Sequence, residues 1–426
     1  MFNTFQNNLG ITLSEKQKRV VDCVLSKKNV FFTGAAGTGK SVLLQYIINL
    51  LKSKYSNYEI GVTASTGIAA INIGGCTLHS FLGLGLATEN INILREKIKK
   101  LKRVRNRWIN TKVLIIDEIS MIDSIFFDKV EAIAKFARYS KEPFGGIQVI
   151  ATGDFYQLPP VSNNKFCFES KSWRLVFNEM IELTDIYRQK DYKFKKILNE
   201  IRYGEISQET EMEIRNLERN IICPPGITPT YLFPLREEVQ NENEKRLAQL
   251  NGKLYTFHSV DTGDKTLLKQ IDKNCPALEV INLKVGAQVC LIKNLNNSLI
   301  NGSIGVIKSF SKENHPVVYF PVPNCLVTIT PQEWVIESPK SEPNDITVMA
   351  KRIQIPLILS WALSIHKSQG QTLNYIIVDL TKIFECGQAY VALSRAANME
   401  GLQVKGFNKQ KIKANSKVLT FSKLFN

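Results

Sequence analysis

The chain has 426 residues, a formal net charge of +16 and 44% hydrophobic residues. That length predicts two to three domains at roughly 150 residues each, and so much apolar material excludes a disordered chain. The basic balance, with a pI of about 9.3, points to a polyanionic partner, nucleic acid or an anionic membrane surface; the longest apolar stretch, Ile355 to Ile365, is well short of the ~20 residues a spanning helix needs.

The N-terminal stretch Met1 to Thr12 is polar and Asn-rich. It reads as neither a signal peptide nor an Arg-rich transit peptide. The 8 cysteines are scattered, with no C-x-x-C pair and no His at zinc spacing, which is the usage of reduced thiols inside a cell. An intracellular protein is expected: nuclear in a eukaryote, with mitochondrion or bacterial cytoplasm as the alternatives.

Val30 to Thr33 is a short apolar run of strand type. It runs into Gly34-Ala35-Ala36-Gly37-Thr38-Gly39-Lys40-Ser41, a G-x-x-x-x-G-K-[ST] phosphate-binding loop without a mismatch. Ser41 to Leu51 follows with helical apolar spacing. The chemistry requires this order. Backbone N–H groups, relieved of Cβ crowding by glycine, wrap phosphates at a helix N-terminus. Lys40 reaches the terminal phosphates, and the Ser41 hydroxyl is placed for Mg²⁺. ATP and Mg²⁺ are therefore the expected ligands.

Ile60 to Ala64, Val113 to Asp117 and Ile147 to Thr152 read as further buried strands, with helical stretches such as Phe126 to Tyr139 between them. This alternation predicts an α/β domain on a parallel sheet. Residues 76–110 interrupt it, first with Gly83 and Gly85 and then with a basic run from Lys97 to Arg107. An inserted subdomain is expected there. The run reads equally as a solvated helix face or a DNA surface, and less well as an import signal.

Asp117-Glu118 ends an apolar strand. In a sheet that carries a phosphate loop, Asp117 would hold Mg²⁺ and Glu118 would orient and deprotonate water. Gly153 to Pro160 ends another strand, and Gln157 within it is placed to sense phosphate or water. Arg188 and Arg395 are arginine-finger candidates, cations supplied from across a nucleotide cleft. For either one taken alone, a surface salt bridge is the plainer reading.

After Thr184 the alternation resumes, with a strand at Tyr231 to Leu235 and a helix at Glu237 to Leu250. From Val285 to Ile336 the chain is rich in β-branched and aromatic residues with frequent turn signals. A small antiparallel β module is predicted there. α/β character returns at Leu357, with a strand at Ile376 to Leu380 and a helix at Gly387 to Arg395.

Several segments carry a more specific resemblance. Thr63 to Ala70, Gly74 to Phe81, Ser364 to Thr372 and Tyr390 to Ala396 together resemble the Pif-type DNA helicases. These belong to the 5′→3′ branch of superfamily one and are related to RecD. Phe126 to Gln148 resembles the element that marks the group, and the likeness runs from Leu13 to Gly406. It implies an α/β fold of two RecA-like P-loop domains. The first would be 1–183, with a basic wedge subdomain at 76–110. The second would be 184–284 and 351–426, interrupted by an SH3-like barrel at 285–350. It implies that Gln17 reads adenine, that Gly370 lies on the nucleotide, and that Arg188 and Arg395 are the fingers. It places Thr66, His79, His366, Lys367 and Ser368 on single-stranded DNA, with Phe81 the better candidate for base stacking. Single-stranded and forked DNA are the implied partners, G-quadruplex DNA a further one, and a monomer the implied state. A nucleotide-switched DNA clamp and a protein-directed ATPase are the competing classes.

Overall fold

The computed structural model describes residues 12–85, 87–160, 165–187, 191–263, 268, 271, 275, 277–296, 298–337, 348–366 and 368–425. In the first part, strands β1 (Val30–Gly34), β2 (Ile60–Ala64), β3 (Cys76–Thr77), β4 (Val113–Asp117), β5 (Gln148–Thr152) and β6 (Glu179–Leu183) form one sheet. Its order is β3-β2-β4-β5-β1-β6 and every pairing is parallel. Helix α1 (Glu15–Leu25) precedes the first strand, and α2 (Lys40–Lys52), α3 (Gly67–Asn72), α4 (Leu78–Leu82), α5 (Ile91–Lys100), α6 (Lys102–Asn110), α7 (Ser124–Arg138) and α8 (Trp173–Val176) lie between the strands. The central strands are apolar throughout because helices cover both faces. Val30, Phe32, Ile115 and Ile150 face one core, with α1 and α2, and Phe31, Leu114, Ile116 and Val149 face the other.

The register aligns the strand ends. Ala64 lies beside Asp117, Ile116 beside Ala151, Phe32 beside Thr152, and Gly34 beside Leu183. The C-terminal ends of a parallel sheet open onto one crevice. The phosphate loop, Asp117-Glu118 and Gly153 to Gln157 are brought together in this way.

The expected insert at 76–110 is narrower than its composition suggested. Cys76 and Thr77 pair with Thr63 and Ala64 as a strand of the main sheet, which leaves α4 and the helix pair α5–α6 as additions, and Phe81, Leu94, Ile98 and Trp108 pack them into the first part's core. The basic run is also largely engaged. Lys97 pairs with Glu89 and Lys99 with Glu96, and Arg105 donates to the Tyr139 hydroxyl at 2.7 Å. Arg107 is buried and donates to the Phe81 carbonyl at 2.6 Å. These contacts favour the reading of a packed and solvated helix pair over a continuous basic surface; Lys100 and Lys102 remain exposed.

The next part contains helices α9 (Tyr192–Tyr203), α10 (Gln208–Asn216) and α11 (Arg236–Gln249), and strand β7 (Thr230–Phe233). The antiparallel strands follow: β8 (Tyr255–His258), β9 (Val260–Gly263), β10 (Val280–Leu283), β11 (Gln288–Leu291), β12 (Ile304–Phe310), β13 (Pro316–Phe320), β14 (Cys325–Thr328), β15 (Gln332–Glu337), β16 (Val348–Gln354) and β17 (Leu357–Leu359). They form sheets of five, three and two strands; the five- and two-stranded sheets share an apolar core that includes Ile281, Ile307, Val318 and Leu357, while Trp334 of the three-stranded sheet packs in a separate small cluster with Ala277 and Ile292. This antiparallel region starts before residue 285 and ends after 350: β17 pairs with β11 inside those limits, β9 pairs with β16 across residue 350, and β8 pairs with β10, both of which precede 285. β18 (Ala362–Ser364), β19 (Ile376–Asp379), helix α12 (Gln388–Leu393) and β20 (Leu402–Lys405) then complete a second parallel sheet, ordered β18-β7-β19-β20.

The last helix, α13 (Ser416–Ser422), belongs elsewhere than the expected span 351–426. Phe421 stacks on Phe168 at 4.1 Å and meets Phe155 edge-on at 5.5 Å. Both are residues of the first part. Burying a phenyl ring contributes about 1.5–3 kcal/mol, and the aromatic cluster of the first sheet supplies that surface. Among the described residues, no helix is long and apolar enough to cross a membrane.

Candidate active site

Helix α2 begins without a side-chain cap. Its N-cap is Gly39 at φ 81°, ψ 17°, and the first N–H groups of a helix have no intrahelical acceptor. An anion fits there. A Cβ at Gly39 would meet the Gln17 amide at 3.0 Å in a left-handed backbone, so both space and conformation demand glycine. Gln17 itself closes the capping box of α1: its side chain accepts from Ser14 N, and Ser14 caps the Gln17 N–H. The same amide donates to the Thr38 carbonyl at 3.4 Å. One residue thus fixes a helix start and the floor of the loop.

Lys40 lies folded along the loop. Its Nζ donates to Gly34 O at 2.6 Å and Ala35 O at 3.2 Å. Thr38 is buried and bonds the Ala35 carbonyl. Gly37 O accepts from the backbone of Tyr187 at 2.8 Å. Arg188 lies outside the described residues, as does Lys367. Ser41 is exposed at the mouth of the loop.

Asp117 and Glu118 stand at the end of β4. Glu118 has φ 51°, ψ 43°, a conformation that costs a non-glycine residue about 1–3 kcal/mol and recurs at functional sites. Its N–H is held by the Asp117 carboxylate at 2.8 Å. Burial, then the neighbouring Glu118, pushes Asp117 well above the usual carboxylate range. Burial also raises Glu118, against the pull of Lys40 and Arg395. A half-buried carboxylate pair of this kind is relieved by a cation. No cluster of three or more His, Cys, Asp or Glu able to hold a metal occurs among the described residues. The donors present, Ser41 and Asp117, suit an ion that completes its shell with water and phosphate, which is the habit of Mg²⁺.

The second part closes onto this crevice. Tyr390, from α12, accepts the Ala36 N–H on its hydroxyl at 2.6 Å. Gly387 packs so closely that a Cβ would meet Gln157 O at 2.5 Å. Gln369 donates to Gln157 Oε1 at 2.9 Å and to Glu118 Oε2 at 3.4 Å. Arg395 is 2% exposed, and its guanidinium is held by Val391 O, Ser368 O, Gln371 O and Ser394 Oγ. Gly370, at φ 81°, is exposed beside Gln369.

The expected DNA contacts divide. Thr66 caps α3 through the Ala69 N–H. His79 is half-buried and stacked on Phe126 at 4.0 Å, and His366 is half-buried on the turn after β18. Phe81 does not offer a stacking face. It is 3% exposed, set edge-on against Trp108 at 5.1 Å, with Arg107 over its ring; the apolar spacing of α4 turns it into the core. Ser368 is fully buried, its hydroxyl donating to Ile365 O at 2.8 Å, so it serves the turn rather than a ligand. Trp361 is core, as its apolar neighbours imply.

Burial lowers both His79 and His366 below the usual imidazole range, and Arg236 adds to this at His366. A group with a depressed folded pKa binds its proton better when unfolded. Its stability is complete above the unfolded value of about 6.5 and is lost as pH falls below it. His79→Phe keeps the stack on Phe126 and removes one titration. Its melting temperature is expected to fall less than the wild type's between about pH 7.5 and about pH 5.5, measured by thermal melts; an unchanged pH slope would remove His79 from the effect.

Sequence reasoning missed Asp154, Arg202, Gln369 and Tyr390. Arg202, on α9, is 3% exposed and bonds Asp154 at 3.1 Å and Glu182 at 3.0 Å. Only the position of Asp154 between a strand end and Gln157 could have signalled it; a lone Arg on a helix gave no signal.

The chain matches the family model of the PIF1-like helicases over residues 12–212 and that of the 2B domain of the DNA helicase Pif1 over 266–310. It is 43% identical to the ATP-dependent DNA helicase PIF1 of Emericella nidulans, with 95% of this chain and 62% of the relative covered. It is 41% identical to the ATP-dependent DNA helicase RRM3 of Saccharomyces cerevisiae, with 97% and 68% covered. The chain therefore spans roughly three-fifths to two-thirds of these relatives' length. The crystal structure of the Pif1 helicase from Candida albicans superposes with a TM-score of 0.81 at 45% identity, over 97% of this chain and 99% of that one. Pif1 from a Bacteroides species, at 28% identity and 97% of both chains, superposes at 0.83 in complex with ADP-AlF4 and at 0.65 when bound to single-stranded DNA. On these matches, the chain belongs to the PIF1-like helicase family.

Proposed function

We propose that this chain is an ATP- and Mg²⁺-dependent DNA helicase that moves 5′→3′ along single-stranded DNA and opens a duplex at a fork. One observation carries the reading: groups of the second parallel sheet meet the phosphate loop and the water-activating pair directly. Tyr390 reaches Ala36, and Gln369 reaches Gln157 and Glu118. A nucleotide seated there touches both halves, so its hydrolysis and release change how they meet. The relatives named as ATP-dependent DNA helicases, and a Pif1 structure bound to single-stranded DNA, support the same reading.

In this mechanism Lys40 leaves the Gly34 and Ala35 carbonyls for the terminal phosphates, and the Ala36 N–H exchanges the Tyr390 hydroxyl for a phosphate oxygen. Gln17 holds the loop floor and borders the base. Bound Mg²⁺, held by Ser41 and Asp117, would neutralise phosphate charge. Glu118 and Gln157 orient the attacking water, and Arg395 stabilises the charge that builds on the transferred phosphoryl group. We assign Arg188 the same task on the strength of the resemblance. Gly370 borders the nucleotide. Thr66, His79, His366 and Lys367 line the DNA path, from which Phe81 and Ser368 are withdrawn. We take 1–183 and the second parallel sheet as the two motor domains, with the antiparallel region as the insert. G-quadruplex DNA as a further substrate, a monomeric state and an intracellular, nuclear or mitochondrial setting extend the proposal.

The superposition scores suit this cycle. At 27–28% identity and 97% coverage, this chain superposes on the Bacteroides protein at 0.80 when that is unliganded and at 0.83 with ADP-AlF4, against 0.65 for the complexes that hold single-stranded DNA. The test is unwinding of duplexes that carry a 5′ or a 3′ single-stranded tail, with and without ATP. ATP-dependent opening of the 5′-tailed duplex is expected to be faster; preference for the 3′ tail would overturn the polarity, and no opening of either would overturn the activity.

A further inference from the structure

The link between the two halves runs through a hydrogen-bond chain whose sense is fixed at both ends. Asp154 is fully buried and paired with Arg202 at 3.1 Å. Its carboxylate accepts the Tyr156 N–H at 3.2 Å and faces the Gln157 amide nitrogen at 3.5 Å, while its carbonyl accepts the Gln157 N–H at 3.0 Å. An ionised carboxylate offers acceptors only. The Gln157 amide must therefore turn its nitrogen to Asp154 and its oxygen outward. That oxygen accepts from Gln369 Nε2 at 2.9 Å, and the same nitrogen reaches the Glu118 carboxylate at 3.4 Å. Acceptor groups at the two ends, Asp154 and Glu118, leave one consistent orientation for both amides.

The turn that carries Gln369 also holds the finger. Ser368 N bonds Ser364 O, Gln369 N bonds His366 O, and Gln371 N bonds Ser368 O. The Ser368 and Gln371 carbonyls accept from Arg395 at 3.4 and 3.3 Å. Gln369 and Arg395 are therefore tied to the same turn as His366.

We propose that Gln369 is a positioning residue that carries the placement of the 364–371 turn to Glu118 and Gln157, against a fixed stop formed by Asp154 and Arg202, so that DNA held at that turn sets the rate of hydrolysis. This rests on the helicase reading and names the side chain that connects its two ligands. Gln369 touches no reacting atom. It acts by holding Glu118 and Gln157 in register for water.

The experiment is steady-state ATP hydrolysis by the full chain with and without single-stranded DNA, for the wild type, Gln369→Ala, Gln369→Glu, Gln157→Ala and the double variant Gln157→Ala/Gln369→Ala. Gln369→Ala is expected to lower the DNA-stimulated kcat about tenfold, the equivalent of one lost hydrogen bond in the transition state. KM for ATP should stay within about twofold, and the DNA-free rate should fall less than the DNA-stimulated one, so the stimulation ratio drops. Gln369→Glu keeps the shape but sets an acceptor against Glu118 and Gln157, and should lose at least as much. In the Gln157→Ala background the Gln369 change should add little, because the two amides act as a unit. A DNA stimulation ratio unchanged in Gln369→Ala, or losses that multiply in the double variant, would overturn the inference. The reading beneath it fails separately: a wild type whose hydrolysis ignores DNA, or a Lys40→Ala variant with full turnover, would sink the helicase site whatever Gln369 does. Thermal melts check that each variant folds, and a variant that melts early is replaced by Gln369→Asn, which shortens the reach with the same polar group.

Discussion

Lys40→Ala is expected to abolish DNA-stimulated ATP hydrolysis, by about 10²–10³-fold or more, and to leave the fold intact. The size follows from removing one preorganised cation from the charge that develops in the transition state. The side chain is also a partner of the carboxylates: Lys40 holds down both Asp117 and Glu118 against the effect of burial. Its loss therefore raises Glu118 further, leaving it protonated more of the time and so less available to take the water proton, as well as removing the phosphate contact. Little stability is at stake. Lys40 is half-buried at the first position of α2, alanine is the best helix former, and the Gly34 and Ala35 carbonyls it leaves can be met by water. Steady-state ATPase assays with single-stranded DNA, alongside a thermal melt, decide it. Full turnover in a folded variant would place the hydrolytic site elsewhere.

The residues that could be read from sequence are those whose chemistry depends on local spacing. Gly34 to Ser41 needs a strand before it and a helix after it, and both are written in neighbouring residues. Asp117-Glu118 likewise follows from an apolar strand that ends in acid. Strands β1, β2, β4 and β5 were legible because a parallel sheet covered on both faces reads as short apolar runs. β6 was not, since Glu179-Met180-Ile181-Glu182-Leu183 alternates and carries charge, as an edge strand does. Cys76-Thr77 was absorbed into an insert because two residues carry no periodicity. Phe81 failed for a different reason. A DNA-facing segment and a helix that buries one face share the same letters, and only the packing of Trp108 and Arg107 on the ring decides between them. Asp154, Arg202, Gln369 and Tyr390 were silent because their partners are far away in the chain: Arg202 lies 48 residues from Asp154 and Gln369 lies 212 from Gln157. α13 was assigned by position to the second part, whereas Phe421 belongs to the aromatic cluster of the first. Long-range pairing of this kind is settled by which surface remains to be covered, and no local pattern records that.

Arg395→Ala is expected to lower kcat for ATP hydrolysis by about 10³–10⁵-fold, the range for a transition-state arginine, with a smaller effect on nucleotide binding. The split follows from where the contacts lie. The phosphate loop, Lys40 and Gln17, the groups proposed to seat the nucleotide, all belong to the first half. Arg395 sits across the cleft, close enough to Glu118 to oppose the rise that burial imposes on it. In the structure its fork is spread over the Ser368 and Gln371 carbonyls, the Val391 carbonyl and the Ser394 hydroxyl. Those bonds hold it in place, and they also mean that removal leaves buried acceptors unpaired, at about 1–3 kcal/mol each. Arg395→Lys separates the two effects. It restores the charge in the cavity but not the planar fork, so hydrolysis should stay at least about tenfold down while more of the stability returns. Binding of a fluorescent ATP analogue, single-turnover hydrolysis and melting temperature distinguish these terms. If Arg395→Lys hydrolyses ATP at the wild-type rate, a point charge suffices and the fork is structural. If Arg395→Ala binds nucleotide normally yet fails to hydrolyse it, the cation is delivered from the far side of the cleft, and hydrolysis is conditional on closure, as a motor that spends ATP only when its two halves meet requires.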